Sequence, residues 1–574
     1  MICSTGVETP FLENEGEIFN AQSLQLNPSE YIIDNFVSVN NTDDSNVISL
    51  DSKNNKLAGC ADYSGSLSSQ VSSKTFQSNG SKDIYLFGWD EFQGYWETSI
   101  GGNALDFCHK IRWTNTDNVL VTGSFNQSLQ LGTHTLSSLG ENDGFAGIYN
   151  PVLDTWVSAI SLGGLKNDNF LSSTILSNGS FVFIGNAESD IRNDSNEPLA
   201  QSCLNQNDFS CSFVLYTDSS LAITGMQYMR ATENIICYDA VEIGTSGKLL
   251  LTGYFQGTFI AGRVSQGSND IFVIRIDEPG EFSYIQTFGG SASDIARHIS
   301  PGPSGFVVAG ETTSTLTNPS SVQTSNGWVA PPTAGNKDIL LLKISTTGVM
   351  IDGLVIGTTG SDGIGEISTN SAGTIHLVGY IGSTIINPAT NISVGTDNTK
   401  SAILISAQLN GGNQTRLIDV VASQGPSGTD SRANALAIMG INDIWIGGRM
   451  SPGSSGSTLL GFSAQGGISK AGFHARLGAD NDLDNIVDRT DNCPETYNDN
   501  QFNYDGDAYG DLCDIDIDDD GALNDVDACD YNQTGWISDE YSDYDSDGCR
   551  DIDEDFDDDN DDVWDTSDDC TPPL

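Results

Sequence analysis

The stretch "NDIFVIRIDEPGEFSYIQTFGG", residues 269–290, reads as two short strands joined by a turn and closed by a Gly-Gly pair. Its pattern returns as "DIYLFGWDEFQGYWETSIGG" (83–102), "DGFAGIYNPVLDTWVSAISLGG" (143–164) and "KDILLLKISTTGVMIDGLVIG" (337–357). Working outward, each such pair is followed by an aspartate and then by an apolar run ending in glycine. Those runs are "KLAG", "VLVTG", "FVFIG", "LLLTG", "FVVAG", "IHLVG" and "IWIGG", ending at Gly59, Gly123, Gly185, Gly253, Gly310, Gly379 and Gly448. Successive spacings are 64, 62, 68, 57, 69 and 69 residues, the mark of a repeated supersecondary unit. Asp43, Asp106, Asp168, Asp239, Asp294, Asp362 and Asp430 precede these glycines by 14 to 18 residues.

Each unit therefore holds about four strands. The runs are apolar on both faces, as expected of a sheet packed between two others. Four-stranded units repeated radially are propeller blades, so the sequence predicts an all-β chain with a seven-bladed β-propeller over residues 37–479. The last half-unit, "LLGFSAQGGISKAGFHARLG" (459–478), has no second half after it, and "TDDSNVISLDSKNNKLAG" (42–59) stands unpaired at the other end. A blade shared between the termini is expected to clasp the ring and remove its exposed edges. The units resemble the seven-bladed propeller repeats of bacterial and archaeal surface proteins in their spaced Gly-Gly, Asp and Gly. Residues 1–36 fall outside the repeat as an N-terminal extension without an assigned role. Two insertions stand out, "DIRNDSNEPLAQSCLNQNDFSC" (190–211), expected to be clipped by Cys203 and Cys211, and a polar loop around Trp328.

Charge is unevenly placed. Of 78 acidic and 23 basic side chains, 35 acidic and only two basic (Arg489, Arg550) fall from Asp480 onward. Calcium takes six to eight oxygens, and carboxylates at positions 1, 3 and 5 of a tight loop, a carbonyl at 7 and side chains at 9 and 12 can converge on it. Five stretches hold that register. The first offers Asp480, Asp482, Asp484, the carbonyl of Ile486, Asp488 and Asp491, and the second Asn503, Asp505, Asp507, the carbonyl of Tyr509, Asp511 and Asp514. The third offers Asp516, Asp518, Asp520, the carbonyl of Ala522, Asn524 and Asp527; the fourth Asp543, Asp545, Asp547, the carbonyl of Cys549, Asp551 and Glu554. The fifth offers Asp557, Asp559, Asp561, the carbonyl of Val563, Asp565 and Asp568. A solvated acidic tail needs charge but no fixed order. Here order is kept, and Cys493, Cys529 and Cys570 each follow their loop's first ligand by thirteen residues. No helical period flanks the loops, which argues against an EF-hand.

With "DIDDDGALNDVD", "DNCP" and "GDLCD" in place, residues 480–574 resemble the thrombospondin type 3 repeat. The resemblance implies bound Ca2+ ions wrapped by a chain of little regular secondary structure, with disulfides between successive cysteines, here Cys493 to Cys513 and Cys529 to Cys549. On that pattern Cys570 opens a further unit, so the ladder is expected to be unfinished and Cys570 free or intermolecular.

Eleven cysteines point to an oxidising compartment. Net acidity in both parts excludes nucleic acid and anionic membrane surfaces as partners, and no apolar run is long enough to span a bilayer. The start lacks a signal-peptide pattern, so secretion is inferred from calcium and cysteine. Five histidines lack metal-ligand spacing, no catalytic motif appears, and His376 reads as a buried, hydrogen-bonded residue. Trp89, Tyr95 and Trp96 read as packing beside a turn. These features predict an extracellular or cell-surface calcium-binding protein with a propeller head for adhesion or ligand binding, its partners calcium and glycans or other surface or matrix proteins. The alternative is a secreted propeller lyase or glycosidase acting on polysaccharide, marked by carboxylates that break the blade repeat at the channel mouth.

Overall fold

The computed structural model describes residues 31–567, apart from 193–197, 200–209, 314–335, 461–469 and gaps of one to four residues elsewhere. The 203–211 clip, Trp328, Asp561, Asp568 and Cys570 thus lie wholly or partly outside the described residues.

Seven four-stranded antiparallel sheets form the head. Blade 2 shows the plan: Asp106–Trp113 innermost, then Val119–Leu131, His134–Asn150 and Thr155–Leu162 outermost. The innermost strands of the blades, Ser45–Lys53, Asp106–Trp113, Asp168–Ile175, Ile235–Glu242, Asp294–Gly302, Gly363–Thr369 and Arg432–Ile438, touch in sequence and the last touches the first, so the ring closes at seven. Apolar layers fill every gap between adjacent blades, including the closing one, where Trp445 and Ala435 meet Val47 and Leu57. Each fully buried Leu, Ile or Phe there contributes about 1.5–3 kcal/mol, which is why the runs are apolar on both faces.

The repeat's glycines and aspartates have a steric origin. Every innermost strand carries a β-bulge against its neighbour, as at Ala296/His298. A Cβ on Gly310, which faces that bulge, would collide with the Ile295 carbonyl, and Gly123, Gly253 and Gly448 face the same obstruction. In blade 1 the residue facing the bulge is Ala61, not Gly59. Gly59 lies two residues off the register read from sequence, because its missing Cβ makes room for the Phe87 ring. The Gly-Gly pair serves two aspartates: a Cβ on Gly101 would strike the carboxylate of Asp83, while the N–H of Gly102 donates to Asp106 at 2.6 Å. The second contact recurs at Asp168 and Asp294, and at Asp362 with the N–H of Thr358 in the glycine's place. Asp239 departs from it: it sits just past its bulge inside the inner strand, where blade 2 has Lys110.

The clasp differs in make-up from the sequence expectation. Blade 7 takes Arg432–Ile438, Asp443–Met450 and Ala471–Ala479 from the C-terminal side and one strand, Tyr31–Val39, from the N-terminal side. Residues 42–59 instead start blade 1, and the clasping strand begins upstream of residue 37. Periodicity orders the strands without saying where one sheet ends, and the crossing between blades falls at the Gly-Gly–Asp turn.

Three disulfides occur among the described residues. Cys60–Cys108 ties blade 1 to blade 2, and Cys493–Cys513 and Cys529–Cys549 pair as the resemblance implied. They fit an oxidising compartment. Cys237 is free and buried. No helix among the described residues is long and apolar enough to cross a membrane.

Candidate metal centres and the central channel

From Asp480 the chain forms turns and bends with no strand or helix among the described residues. Two hydrogen bonds recur in all five loops. The N–H at position 2 donates to the side chain at position 9: Asn481 to Asp488 (2.9 Å), Tyr504 to Asp511 (2.8 Å), Ile517 to Asn524 (2.9 Å), Tyr544 to Asp551 (3.1 Å) and Asp558 to Asp565 (3.0 Å). The N–H at position 9 donates to the carbonyl just before the loop, at Ala479, Phe502, Ile515, Ser542 and Phe556. Position 9 therefore braces the loop from side chain and backbone together. In loops three to five, positions 4 and 6 are left-handed, Asp519 with Gly521, Ser546 with Gly548 and Asn560 with Asp562. In loop two only Gly506, at position 4, is.

Those turns bring carboxylates together. Oxygens of Asp480, Asp482 and Asp484 lie within 4.8 Å of one another, as do those of Asp516, Asp518 and Asp520 and those of Asp543, Asp545 and Asp547. In loop two the group is Asp505, Asp507 and Asp514. Asn503 is engaged elsewhere, its amide oxygen accepting from the N–H of Gly506 at 2.5 Å. The last group is Asp551, Asp555 and Asp558, straddling loops four and five; sequence reasoning passed over Asp555 and Asp558 because they fall off the 1-3-5 register. Asp557, Asp559 and Asp565 are not in that group, and neither are Asp488, Asp491, Asp511, Asp527 and Glu554 in theirs.

Buried oxygens of Asp482, Asp520 and Asp527, and both oxygens of Asp545, have no hydrogen-bond partner. Burial, reinforced by neighbouring carboxylates, pushes Asp482, Asp527 and Asp545 up to about 6. Such uncompensated buried acceptors are costly unless a cation reaches them. The first loop sits on the clasp: Val487 is buried against Gly478, and Arg489 approaches Asp443, itself held by Arg476 at 2.6 Å.

The channel holds a second cluster. Just past each bulge, equivalent positions carry Ser49, Lys110, Ser172, Asp239, His298, Glu366 and Ala435. Lys110 and Glu366 come from blades three apart, so their ion pair crosses the axis, with side chains only 6% and 8% exposed. Inner strands are sheet edges whose N–H groups need partners. The preceding blade supplies them: Ser49 accepts from Ile111, Asp51 from Trp113 at 2.7 Å, Asp239 from Ile299 and Glu366 from Leu436. Asp239 also accepts from the Ser172 hydroxyl at 2.8 Å and lies 3.8 Å from His298, whose pKa burial lowers. The only sequence signal for this cluster is charge at one register position of otherwise apolar strands.

Of the repeating aspartates, Asp106, Asp168, Asp294 and Asp362 serve turns rather than chemistry. One oxygen of Asp106 takes the Gly102 N–H and the other is buried without a partner; burial pushes its pKa to about 7. A carboxyl that keeps its proton longer in the folded state contributes stability at low pH that is lost as pH rises from about 4 to about 7. Wild-type protein should therefore lose stability relative to Asp106→Asn across that window in denaturant titrations; a constant difference would refute the assignment. His376 is buried and bonded to Ser406 and Asn370, as expected from its strand. Trp96 packs on Trp113 and Tyr149, whereas Tyr95 is 41% exposed.

Fold and loops together define a seven-bladed β-propeller continued by a segment of acidic, cation-competent loops. The sequence matches no family model and no curated protein. Among solved structures the chain is similar to the acylaminoacyl peptidase of Pyrococcus horikoshii, at 7% identity and TM-score 0.35, over 73% of this chain and 52% of that one. It thus spans about half of that enzyme's length. It is also similar to the β-propeller domain of the Trilobed protease from Pyrococcus furiosus (6% identity, TM-score 0.35, 71% of this chain, 90% of that one). A protein of unknown function from Dyadobacter fermentans matches at 9% identity and TM-score 0.36, over 78% of this chain and 99% of that one.

Proposed function

We propose that residues 480–574 bind several calcium ions and that the protein acts outside the cell or at its surface, a propeller head for adhesion or ligand binding on a calcium-stabilised stalk. What supports this is the conjunction, in five loops of one hydrogen-bond pattern, of grouped carboxylates with buried oxygens that lack partners in every group but that of loop two. Calcium suits them as a hard cation satisfied by carboxylate and carbonyl oxygen. The residues that would hold it are those at positions 1, 3 and 5 of loops one, three and four with the carbonyl at 7, Asp505, Asp507 and Asp514 in loop two, and Asp551, Asp555 and Asp558 at the far end. Partners compatible with the acidic surface are glycans or other surface or matrix proteins. Native mass spectrometry in calcium should show about one ion for each of the five groups, displaced by chelator and not matched by magnesium; a chain that stays metal-free in millimolar calcium would overturn the reading.

One observation favours a second reading, a secreted enzyme acting on polysaccharide with the loops as spacer: Asp239 and Glu366 break the sevenfold repeat inside the channel. Against it, both are spent on backbone N–H groups of the next blade. Incubation with a polysaccharide panel separates the two, since new reducing ends or unsaturated products arise only from an enzyme.

A further inference from the structure

Above the Lys110–Glu366 pair the channel widens into a well of about 360 Å3, lined by the inner strands of all seven blades. The ion pair crosses the axis as its floor. Two residues further along each inner strand stand Asp51, Arg112, Thr174, Val241, Ser300, Ser368 and Ala437, which form the wall.

Charge in the well is balanced nearly in full. Glu366 is paired with Lys110, and Asp51 with Arg112 at 3.2 Å. Asp239 is occupied by the Ser172 hydroxyl and the Ile299 N–H. No carboxylate is left open to a cation, and the one excess negative charge repels anions. Neutral hydrogen-bonding capacity, in contrast, is left over. The hydroxyls of Thr174 and Ser368 bond to no other described residue, and Arg112 meets Asp51 through one nitrogen only, its side chain 28% exposed. A guanidinium carries five donors, so several face the cavity. Hydrogen-bond donors and acceptors thus line a space within the usual range for small-ligand sites, about 300–1,000 Å3. A purely structural channel would not need this asymmetry, because a buried ion pair is commonly no more stabilising than apolar side chains of the same size.

We propose that this well binds a small, uncharged, hydroxyl-rich ligand with the size and chemistry of a single sugar residue, held by Arg112, Thr174 and Ser368 over the Lys110–Glu366 floor. The proposal deepens the reading of the propeller as a binding head and uses no residue of the acidic loops, so the two can fail separately.

The test is saturation-transfer NMR and calorimetry on the full chain with neutral hexoses, amino sugars and uronates, each with and without chelator. Neutral hexoses should bind, and uronates should not. Thr174→Val with Ser368→Ala, which keeps the volume of the wall nearly unchanged, should weaken binding roughly tenfold. Ser368→Phe, filling the well, should abolish it while the melting temperature stays near that of the wild type. Binding that persists in Ser368→Phe, or a preference for uronates or amino sugars, would overturn the proposal, as would no binding of any sugar at millimolar concentration. Sugar binding lost on chelation but untouched by the well variants would move the ligand to the acidic loops and equally refute it.

Discussion

Lys110→Met alone, or Glu366→Leu alone, is expected to destabilise the propeller by about 3–5 kcal/mol, and the double replacement to recover most of that loss. Each single change leaves a charge in a site where its partner's side chain was at most 8% exposed. Glu366 would keep only the Leu436 N–H, and Lys110 would lose its one carboxylate partner. The double variant removes both desolvation costs and leaves apolar groups of similar volume in a ring already flanked by Ile111 and Ile367. Because the pair spans three blades, the loss should appear in global unfolding rather than in local fraying. A double-mutant cycle in denaturant measures the coupling directly. Additive effects of the two single changes, or singles costing under 1 kcal/mol, would mean that the pair does not form across the axis.

That pair also shows where the sequence stopped being readable. Blade number was legible because the bulge forces glycine, or a small residue such as Ala61, on the facing strand, and because Gly101 and Gly102 must accommodate Asp83 and Asp106. Steric requirements of that kind recur once per blade and leave a period. The clasping strand, "YIIDNFVSV" (31–39), adds itself to an outer edge, where its own irregularity at Ile33/Asn35 faces Leu477 and Arg476 and no crossing turn follows, so nothing there demands a glycine and it carried no mark of the repeat. Lys110 and Glu366 are 256 residues apart, and only the ring's closure brings them together. In the acidic loops the 1-3-5 spacing was visible because each ligand is set by local turn geometry. Asp558 was not, since its grouping with Asp551 and Asp555 depends on how one loop folds against the next.

Chelation should expand residues 480–574 and leave the propeller folded. The segment carries 35 acidic and two basic side chains, a formal charge of −33. At the separations within a group, under 5 Å, two unit charges repel by about 3–4 kcal/mol at an effective dielectric near 20. Three such pairs recur in every group, with no helix, no strand and little apolar core in the described part of the segment to oppose them. Exposed side chains such as Ile515, Ile537, Phe556 and Trp564 show how little burial holds the loops together. Without the cation, turn hydrogen bonds such as those from position 2 to position 9 and the disulfides Cys493–Cys513 and Cys529–Cys549 remain, and the disulfides restrict only the spans they close. The ring, by contrast, depends on Tyr31–Val39 pairing with Ala471–Ala479 and on the apolar layers between blades, neither of which contains a carboxylate group of the loops. Small-angle scattering should therefore show a larger maximum dimension in EDTA, reversed by calcium, while the propeller's unfolding transition persists. High salt should blunt the expansion, because screening shortens to about 3 Å at 1 M. An identical scattering profile with and without EDTA would show that the loops keep their form without a cation, and the calcium reading would fall with it.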